Sequence, residues 1–189
     1  MARLILVTGG ARSGKSRFAE TLARNSGDPV VFLATMEPRD EETAARIAVH
    51  HSRRPENWRT VEAARDLPAC LARIEPGALV LLDCIGLWVT NELLAAVPNP
   101  ESARWSAFER GIETCLSLGR DLIAAGRQRA GTLVAVTNEV GSGIVPLGAL
   151  SRAYRDALGL VNQELARSAD EVHLLVSGLP LRIKPMVEG

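Results

Sequence analysis

The chain has 189 residues, and its 22 lysines and arginines balance its 22 aspartates and glutamates, so its formal net charge is zero. This length is typical of one folded domain, and we expect a single domain over residues 1–189. An apolar content of 47% and a charged content of 23% are those of a globular protein rather than a disordered one. The balanced charge argues against a nucleic-acid partner and against a polybasic membrane-surface role.

The cysteine pattern and the absence of long apolar runs bear on the compartment. Three cysteines occur, without C-x-x-C spacing, and this is not the pattern of a disulfide framework or a zinc site. The first apolar run, residues 4–7, is too short for the core of a signal peptide. No run approaches the roughly 20 apolar residues of a membrane span. We therefore expect free thiols, no membrane insertion and a cytoplasmic location.

Strand-like apolar runs alternate with helical patterns along the chain. The runs are continuous rather than alternating, which is typical of parallel strands buried on both faces. They lie at residues 4–8, 30–35, 78–84, 133–137 and 172–176. The helical patterns lie at residues 15–26, 40–51, 64–73, 86–96, 102–128 and 147–168. This order predicts an α/β fold, a doubly wound, mostly parallel sheet with helices on both faces. Residues 181–183 follow Gly178 too closely for a parallel crossover and predict an antiparallel C-terminal edge.

The strongest local motif follows the first predicted strand and opens the first predicted helix. It fits the pattern G-x-x-x-x-G-K-[ST] and consists of Gly9, Gly10, Ala11, Arg12, Ser13, Gly14, Lys15 and Ser16. In such a loop the backbone N–H groups and the helix N-terminus face a phosphate. Lys15 can reach the β- and γ-phosphates, and the Ser16 hydroxyl can ligate Mg²⁺. For Arg12, phosphate contact and simple exposure to solvent fit the sequence equally well.

A second element is the aspartate near the end of the apolar run 78–84. Asp83 is placed to hold Mg²⁺ directly or through water. The alternative is an aspartate that caps the next helix, but the nearby phosphate loop favours the metal role. The two elements predict a nucleotide-binding P-loop protein. They do not separate a kinase from a GTPase or a motor, although no Asn-Lys-x-Asp segment of the regulatory GTPases is present.

The three histidines differ in their surroundings. His173 lies inside an apolar run and is interpreted as structural. His50 and His51 end the predicted helix 40–51, where a histidine usually interacts only with the helix dipole. The alternative is a nucleophile, because a neutral imidazole can attack phosphorus and form a covalent intermediate. Three arginines nearby would suit an anionic transferring group and help keep the imidazole neutral. They are Arg46, Arg53 and Arg54.

Besides the loop at 9–16, nine segments spread over nearly the whole chain match one family. They are FLAT at 32–35, R-I-x-x-H at 46–50, R-P-x-x-W-R-T-V-E at 54–62, LLDCIGLWVTN at 81–91, VTNEVGSGIVP at 136–146, RAYRD at 152–156, NQELA at 162–166, ADEV at 169–172 and GLPLRIK at 178–184. Taken together, these motifs resemble the bifunctional adenosylcobinamide kinase / adenosylcobinamide-phosphate guanylyltransferase family of cobalamin biosynthesis. The resemblance implies a P-loop NTPase fold of the RecA-like type and a homotrimer with the corrinoid between subunits.

The resemblance also implies two reactions. ATP or GTP phosphorylates adenosylcobinamide, and GMP then passes from GTP, through a covalent GMP–histidine, to adenosylcobinamide phosphate, giving adenosylcobinamide-GDP. The family's nucleophilic histidine matches His50, by its spacing from Arg46 and to Arg54. The resemblance therefore replaces the helix-dipole interpretation of this residue, and His51 is the one-residue alternative. Asp83 is left between metal and nucleotide, and Asn138 and Glu139 are candidates for contact with corrinoid or metal. The resemblance assigns the rest of the nucleotide site to Ala34, Thr35, Met36, His51, Ser52, Arg53, Arg54 and Glu62.

Overall fold

The computed structural model describes residues 2–36, 41 and 54–185, and all structural statements below concern this part of the chain. The predicted helix 40–51, apart from residue 41, and the residues His50, His51, Ser52 and Arg53 lie outside the described residues.

The described residues form seven strands and five helices. The strands are β1 (Arg3–Gly9), β2 (Val30–Ala34), β3 (Arg59–Glu62), β4 (Leu79–Asp83), β5 (Thr132–Val136), β6 (Glu171–Val176) and β7 (Leu179–Lys184). The helices are α1 (Lys15–Asn25), α2 (Leu67–Ala72), α3 (Ile85–Ala96), α4 (Trp105–Gln128) and α5 (Ala149–Ser168). Within these described ranges, no helix is both long enough and apolar enough to cross a membrane.

The strands form one sheet in the order β3-β2-β4-β5-β1-β6-β7. Every neighbouring pair is parallel except β6 and β7, which pair antiparallel at the C-terminal edge. The predicted mostly parallel sheet with an antiparallel edge is therefore confirmed. β3 is not among the predicted apolar runs, because none of its four residues is buried.

Each face of the sheet has its own hydrophobic core. The larger core contains Leu4 and Leu6 of β1 and packs against α2, α3, α4 and α5. The opposite core contains Ile5 and Val7 of the same strand and packs against α1. Successive strand residues point to opposite faces, so a strand covered on both faces needs an unbroken apolar run. This explains why the strand runs are continuous, and it confirms helices on both faces.

The parallel register aligns the strand ends that carry the candidate site residues. Ala34 pairs with Glu62 on one side and with Asp83 on the other, and Asp83 pairs with Val136. Because neighbouring strands lie about 4.8 Å apart, the backbones of Glu62 and Asp83 lie about 10 Å apart along this edge. The phosphate loop leaves β1 at the same edge, so the sheet collects these residues on one side of the molecule.

Candidate functional site

The loop after β1 bends sharply and needs glycine at its first position. A Cβ on Gly9 would lie 2.5 Å from the backbone oxygen of Leu175 in β6 and 2.8 Å from Ser13 Oγ. No real side chain fits at such distances, so Gly9 lets the loop pass close to β6. Gly14 closes the loop with a φ of 95°, a conformation that glycine adopts without strain.

The loop leads directly into α1, and its lysine turns back over it. Gly14 precedes the helix and has no side chain to bond the N–H groups of the first turn, which also lacks acidic residues. Those N–H groups and the helix dipole favour an anion at this point. Lys15 is only 7% exposed, and its Nζ donates a hydrogen bond to the carbonyl of Gly10 at 2.7 Å. Its ammonium therefore lies on the inner side of the loop.

Burial and nearby acidic groups act on Lys15 in opposite directions. Burial lowers the pKa of Lys15, whereas Cys84 and the carboxylate of Asp83 raise it. The negative charge of Asp83 therefore acts on Lys15. The fold thus brings together the two predicted parts of the phosphate site, the loop of residues 9–16 and the end of β4.

A buried hydroxyl inside the loop also points to a ligand. Ser13 Oγ is buried and has no hydrogen-bond partner among the described residues, although the Ser13 backbone is bonded on both sides. Its N–H donates to Gly10 O at 3.3 Å, and its carbonyl accepts from Gly178 N at 2.9 Å. Orphaned buried polar groups are costly, and a phosphate oxygen in the loop would satisfy this one.

The predicted site residue Thr35 holds the backbone directly after Asp83 in place. Its side chain is fully buried, and its hydroxyl donates to Cys84 O and accepts from Cys84 N, each at 2.8 Å. Asn91 of α3 also holds this region, because its side-chain amide donates to Thr35 O at 3.1 Å and to Ala64 O at 2.9 Å. The end of β4 is therefore fixed to the end of β2. Asn91 was not singled out from the sequence, although it lies in the quoted VTN segment.

Arg54 lies among three acidic residues that come from different elements. Its guanidinium lies 3.5 Å from the centre of the Phe32 ring, and its Nη1 donates to Thr60 Oγ1 at 3.2 Å. Burial lowers the pKa of Arg54, and Asp83, Glu20 and Glu62 raise it. The structure thus brings together three of the predicted site residues, since Asp83 ends β4 and Glu62 ends β3.

The remaining residues predicted to bind the nucleotide differ in how exposed they are to solvent. Ala34 and Met36 are half-buried beside the end of β2, and Ser16 is half-buried at the start of α1. Arg12 and Ala11 are exposed, and Arg12 has a φ of 55°. Phosphate contact by Arg12 stays a prediction.

The segment after β5 is tied to both the phosphate loop and α5. Glu139 N donates to Gly9 O at 3.0 Å, and Asn162 Nδ2 donates to Asn138 O at 3.0 Å. The Asn138 side chain hydrogen bonds to the hydroxyl of Tyr154, whose pKa is raised to about 12 mainly by burial. Asn162 and Tyr154 were not predicted as site residues, although both lie in segments that resemble the family, NQELA at 162–166 and RAYRD at 152–156. Their position depends on how α5 packs, which the local sequence does not reveal.

The chemistry of the loop and of β4 fits a magnesium ion. Mg²⁺ that accompanies a nucleotide takes one or two protein oxygens and fills its other positions with phosphates and water. Ser16 supplies a hydroxyl directly after Lys15, and Asp83 supplies a carboxylate whose charge acts on that lysine. Among the residues that the structure describes, no group of three or more histidines, cysteines or acids could hold a metal by itself.

The sheet order and the loop define the class of protein. β5 separates the strand that carries the phosphate loop from the strand that ends in Asp83, and the loop closes on α1. This is the architecture of a P-loop nucleotide-binding protein.

Two solved structures have a similar fold. A type III secretion ATPase of pathogenic bacteria matches with a TM-score of 0.50 and 15% sequence identity. The match covers 92% of this chain and 51% of the ATPase, so this chain spans about half the length of that protein. A protein from Pyrococcus horikoshii OT3 is similar in fold alone, with a TM-score of 0.54 and 6% identity over 99% of this chain and 88% of that one.

Sequence comparison narrows the class to one family. The family model for cobinamide kinase / cobinamide phosphate guanyltransferase matches residues 5–183. The bifunctional adenosylcobalamin biosynthesis protein CobU of Escherichia coli K12 is 46% identical over 96% of this chain and 99% of its own length. The protein of the same name from Salmonella typhimurium is 47% identical over the same shares, and CobP of Pseudomonas aeruginosa is 41% identical over 95% and 96%. The chain therefore belongs to the cobinamide kinase / cobinamide phosphate guanyltransferase family, as the motifs predicted, and it is a transferase with these two activities.

Proposed function

We propose that this chain carries out two successive transfers at one phosphate-binding loop. ATP or GTP first phosphorylates adenosylcobinamide. GMP from GTP is then transferred, through a GMP–His50 intermediate, to adenosylcobinamide phosphate, which gives adenosylcobinamide-GDP in cobalamin nucleotide-loop assembly. The observation that carries the proposal is the loop of residues 9–16, with the Lys15 ammonium on its inner side and the charge of Asp83 beside it, in a chain of this family.

In the first transfer the protein mainly positions and neutralises the phosphates. The N–H groups of the loop and the first turn of α1 bind the triphosphate oxygens, and Lys15 adds positive charge. Ser16 and Asp83 would hold Mg²⁺, which neutralises charge on the β- and γ-phosphates when it is bound. The acceptor hydroxyl attacks the γ-phosphorus, and the nucleoside diphosphate leaves. Thr35 supports this step indirectly, because its hydroxyl fixes the backbone next to Asp83.

In the second transfer an imidazole nitrogen of His50 attacks the α-phosphorus of GTP, and pyrophosphate leaves. A phosphate oxygen of adenosylcobinamide phosphate then attacks the same phosphorus and releases the histidine. Arg54, four residues after His50 in the sequence, is held over Phe32 at the edge where Glu62 ends β3. This arrangement supports a role for Arg54 with the transferring phosphate and for Glu62 with the guanosine portion.

The exposed surface of β7 supports a contact between subunits, and the resemblance to the family makes a homotrimer the assembly we propose. Leu179, Leu181 and Ile183 are 73%, 57% and 44% exposed and alternate along this edge strand, so they share one face. Apolar surface of this kind is typical of contacts between subunits. By contrast, the long helix α4 uses its apolar side chains within the chain, since Phe108 and Leu122 are fully buried. Such a trimer would place the corrinoid between subunits. The free cysteines fit a cytoplasmic location.

A labelling experiment tests the covalent intermediate. The protein is incubated with Mg²⁺ and GTP labelled at the α-phosphate, and the modified peptide is mapped by mass spectrometry. We expect a GMP mass on His50, release of pyrophosphate, no adduct in His50→Ala and a retained adduct in the matched control His51→Ala. An adduct that persists in His50→Ala, or a label on Lys15, would show that the nucleophile is wrong.

The kinase half is tested separately with label at the γ-phosphate. We expect His50→Ala to keep phosphorylating adenosylcobinamide and Lys15→Ala to lose both transfers, because both use the same loop. If Lys15→Ala kept either transfer at the wild-type rate, the shared loop would be refuted. Parallel reactions with ATP and with GTP identify the working phosphate donor.

A further inference from the structure

The loop between β5 and α5 exposes an unusual amount of apolar surface. Residues 140–148 contain no charged residue. Within them Ile144 is 97% exposed, Val145 is 56% exposed and Leu147 is 98% exposed. Three large apolar side chains in nine residues of exposed loop form a patch of the kind that marks a binding surface.

Hydrogen bonds anchor this loop at both ends. At its start, Glu139 N donates to Gly9 O at 3.0 Å, and Gly141 N donates to Glu139 Oε1 at 2.6 Å. At its end, Arg152 of α5 donates from Nη1 to the carbonyls of Pro146, at 3.2 Å, and Leu147. The apolar side chains thus project from a segment whose two ends are fixed.

The first of these anchors fixes the position of the loop relative to the chemistry. Gly9 is the first residue of the phosphate loop, so the apolar loop begins directly beside the place where phosphate groups bind. Any acceptor that brings an oxygen to these phosphates must place the rest of its mass at this edge of the sheet. Trp105, which is 40% exposed, has its ring centre 5.8 Å from the Arg152 guanidinium and so lies beside the far anchor.

We propose that residues 140–148 form the surface that binds the corrin ring of the acceptor, with Ile144 and Leu147 as its main contacts. This inference rests on the proposed function, because that function supplies a corrinoid as acceptor. A corrin ring carries methyl groups and neutral amide side chains around a large ring. An uncharged loop suits it, since Ile144 and Leu147 offer apolar contact and the small, exposed residues Ser142 and Gly143 let amide groups approach the backbone closely.

The test compares kinetics for the acceptor with kinetics for the nucleotide. Ile144→Ser, Leu147→Ser and the matched control Leu160→Ser, an exposed leucine of α5 at 38%, are assayed for phosphorylation of adenosylcobinamide. We expect each loop variant to raise the KM for adenosylcobinamide about tenfold. This is the factor expected when a variant lacks an apolar side chain that the complex would bury by about half. The KM for the nucleotide should change less than twofold, and the control should match the wild type.

Two further readouts make the outcomes distinct. Equilibrium dialysis, with bound corrinoid measured by its visible absorbance, should show the same weakening of corrinoid binding in the absence of turnover. Sedimentation should show an unchanged oligomeric state. If the wild type phosphorylates adenosylcobinamide but the loop variants keep its KM within twofold, the corrin surface is refuted and the proposed function stands. Loss of oligomers at an unchanged KM would refute it in favour of a contact between copies of the chain. A wild type with no activity toward adenosylcobinamide would refute both proposals.

Discussion

Replacing Thr35 by valine should destabilise the protein, because one buried hydroxyl joins the ends of β2 and β4. That hydroxyl donates to Cys84 O and accepts from Cys84 N, both at 2.8 Å, across 49 residues of sequence. Valine has nearly the shape of threonine, so the packing around the fully buried position is retained. The change therefore removes two hydrogen bonds with little change in volume.

The magnitude follows from the two backbone groups left behind. An unsatisfied buried donor or acceptor costs about 1–3 kcal/mol, and both groups belong to Cys84, which is only half-buried. We therefore expect a loss of about 2–3 kcal/mol in the free energy of unfolding. This is a large part of the roughly 5–15 kcal/mol typical of a folded protein, yet it leaves the variant folded. Asp83 precedes Cys84, so we also expect weaker binding of nucleotide with Mg²⁺.

Urea unfolding measures the loss, with Thr21→Val as the matched control. Thr21 lies on α1, and its hydroxyl donates to Arg17 O at 2.9 Å within an exposed turn. Water replaces that bond readily, so the control should change stability by less than about 0.5 kcal/mol. If Thr35→Val lost no more than Thr21→Val, the hydroxyl would not be holding the two strand ends, and this reasoning would be refuted.

Three other changes probe the loop, an ion pair and a thiol. Gly9→Ala places a Cβ 2.5 Å from a backbone oxygen, so it should lose more than about 2 kcal/mol in urea unfolding. Gly10→Ala meets no atom within 4 Å apart from its own chain neighbours and should lose much less, and equal losses would contradict the steric argument. Asp170→Asn should lose about 1–2 kcal/mol at pH 7, because Arg127 holds the Asp170 carboxylate through two hydrogen bonds of 2.9 and 3.0 Å and lowers its pKa. A carboxyl with a lowered pKa loses its contribution as the pH falls below the usual value of 3.8, so the deficit should shrink there, and a deficit that stayed constant to pH 2 would contradict the assignment. Burial of the thiol, together with the charge of Asp83, raises the pKa of Cys84 to about 12. Iodoacetamide at pH 8 should therefore modify Cys84 about a thousandfold more slowly in the folded protein than in urea, and similar rates would contradict the raised pKa.

The sequence predicts the central strands well, because strands covered by helices on both faces need unbroken apolar runs. β4 shows this clearly, since four of its five residues are buried. β3 has a different origin. None of its four residues is buried, and it forms by pairing with β2 at the sheet edge. Its existence depends on the neighbouring strand rather than on its own composition.

The site is predictable where it depends on spacing and unpredictable where it depends on packing. The phosphate loop could be located because its glycines, lysine and serine must occur at fixed intervals between a strand and a helix. The orientation of Thr35 could not, because its hydroxyl bonds to a backbone that is distant in the chain. The same holds for Arg54, whose electrostatic neighbours include Glu20 of α1. A local sequence pattern does not predict a contact that forms only when helices and strands pack together.

The charges at the sheet edge bear on how a triphosphate binds. The chain is neutral as a whole, and acidic residues act on two of its candidate phosphate-binding cations. Asp83 raises the pKa of Lys15, and Asp83, Glu20 and Glu62 raise the pKa of Arg54. These acids oppose the lowering of the two pKa values by burial, but Asp83 also repels the phosphates that the cations attract. A divalent cation between that carboxylate and the phosphates turns the repulsion into attraction, as in other phosphate sites where the ion is the largest local charge. Tight triphosphate binding at this edge should therefore require Mg²⁺, and removing the Asp83 charge should weaken that dependence.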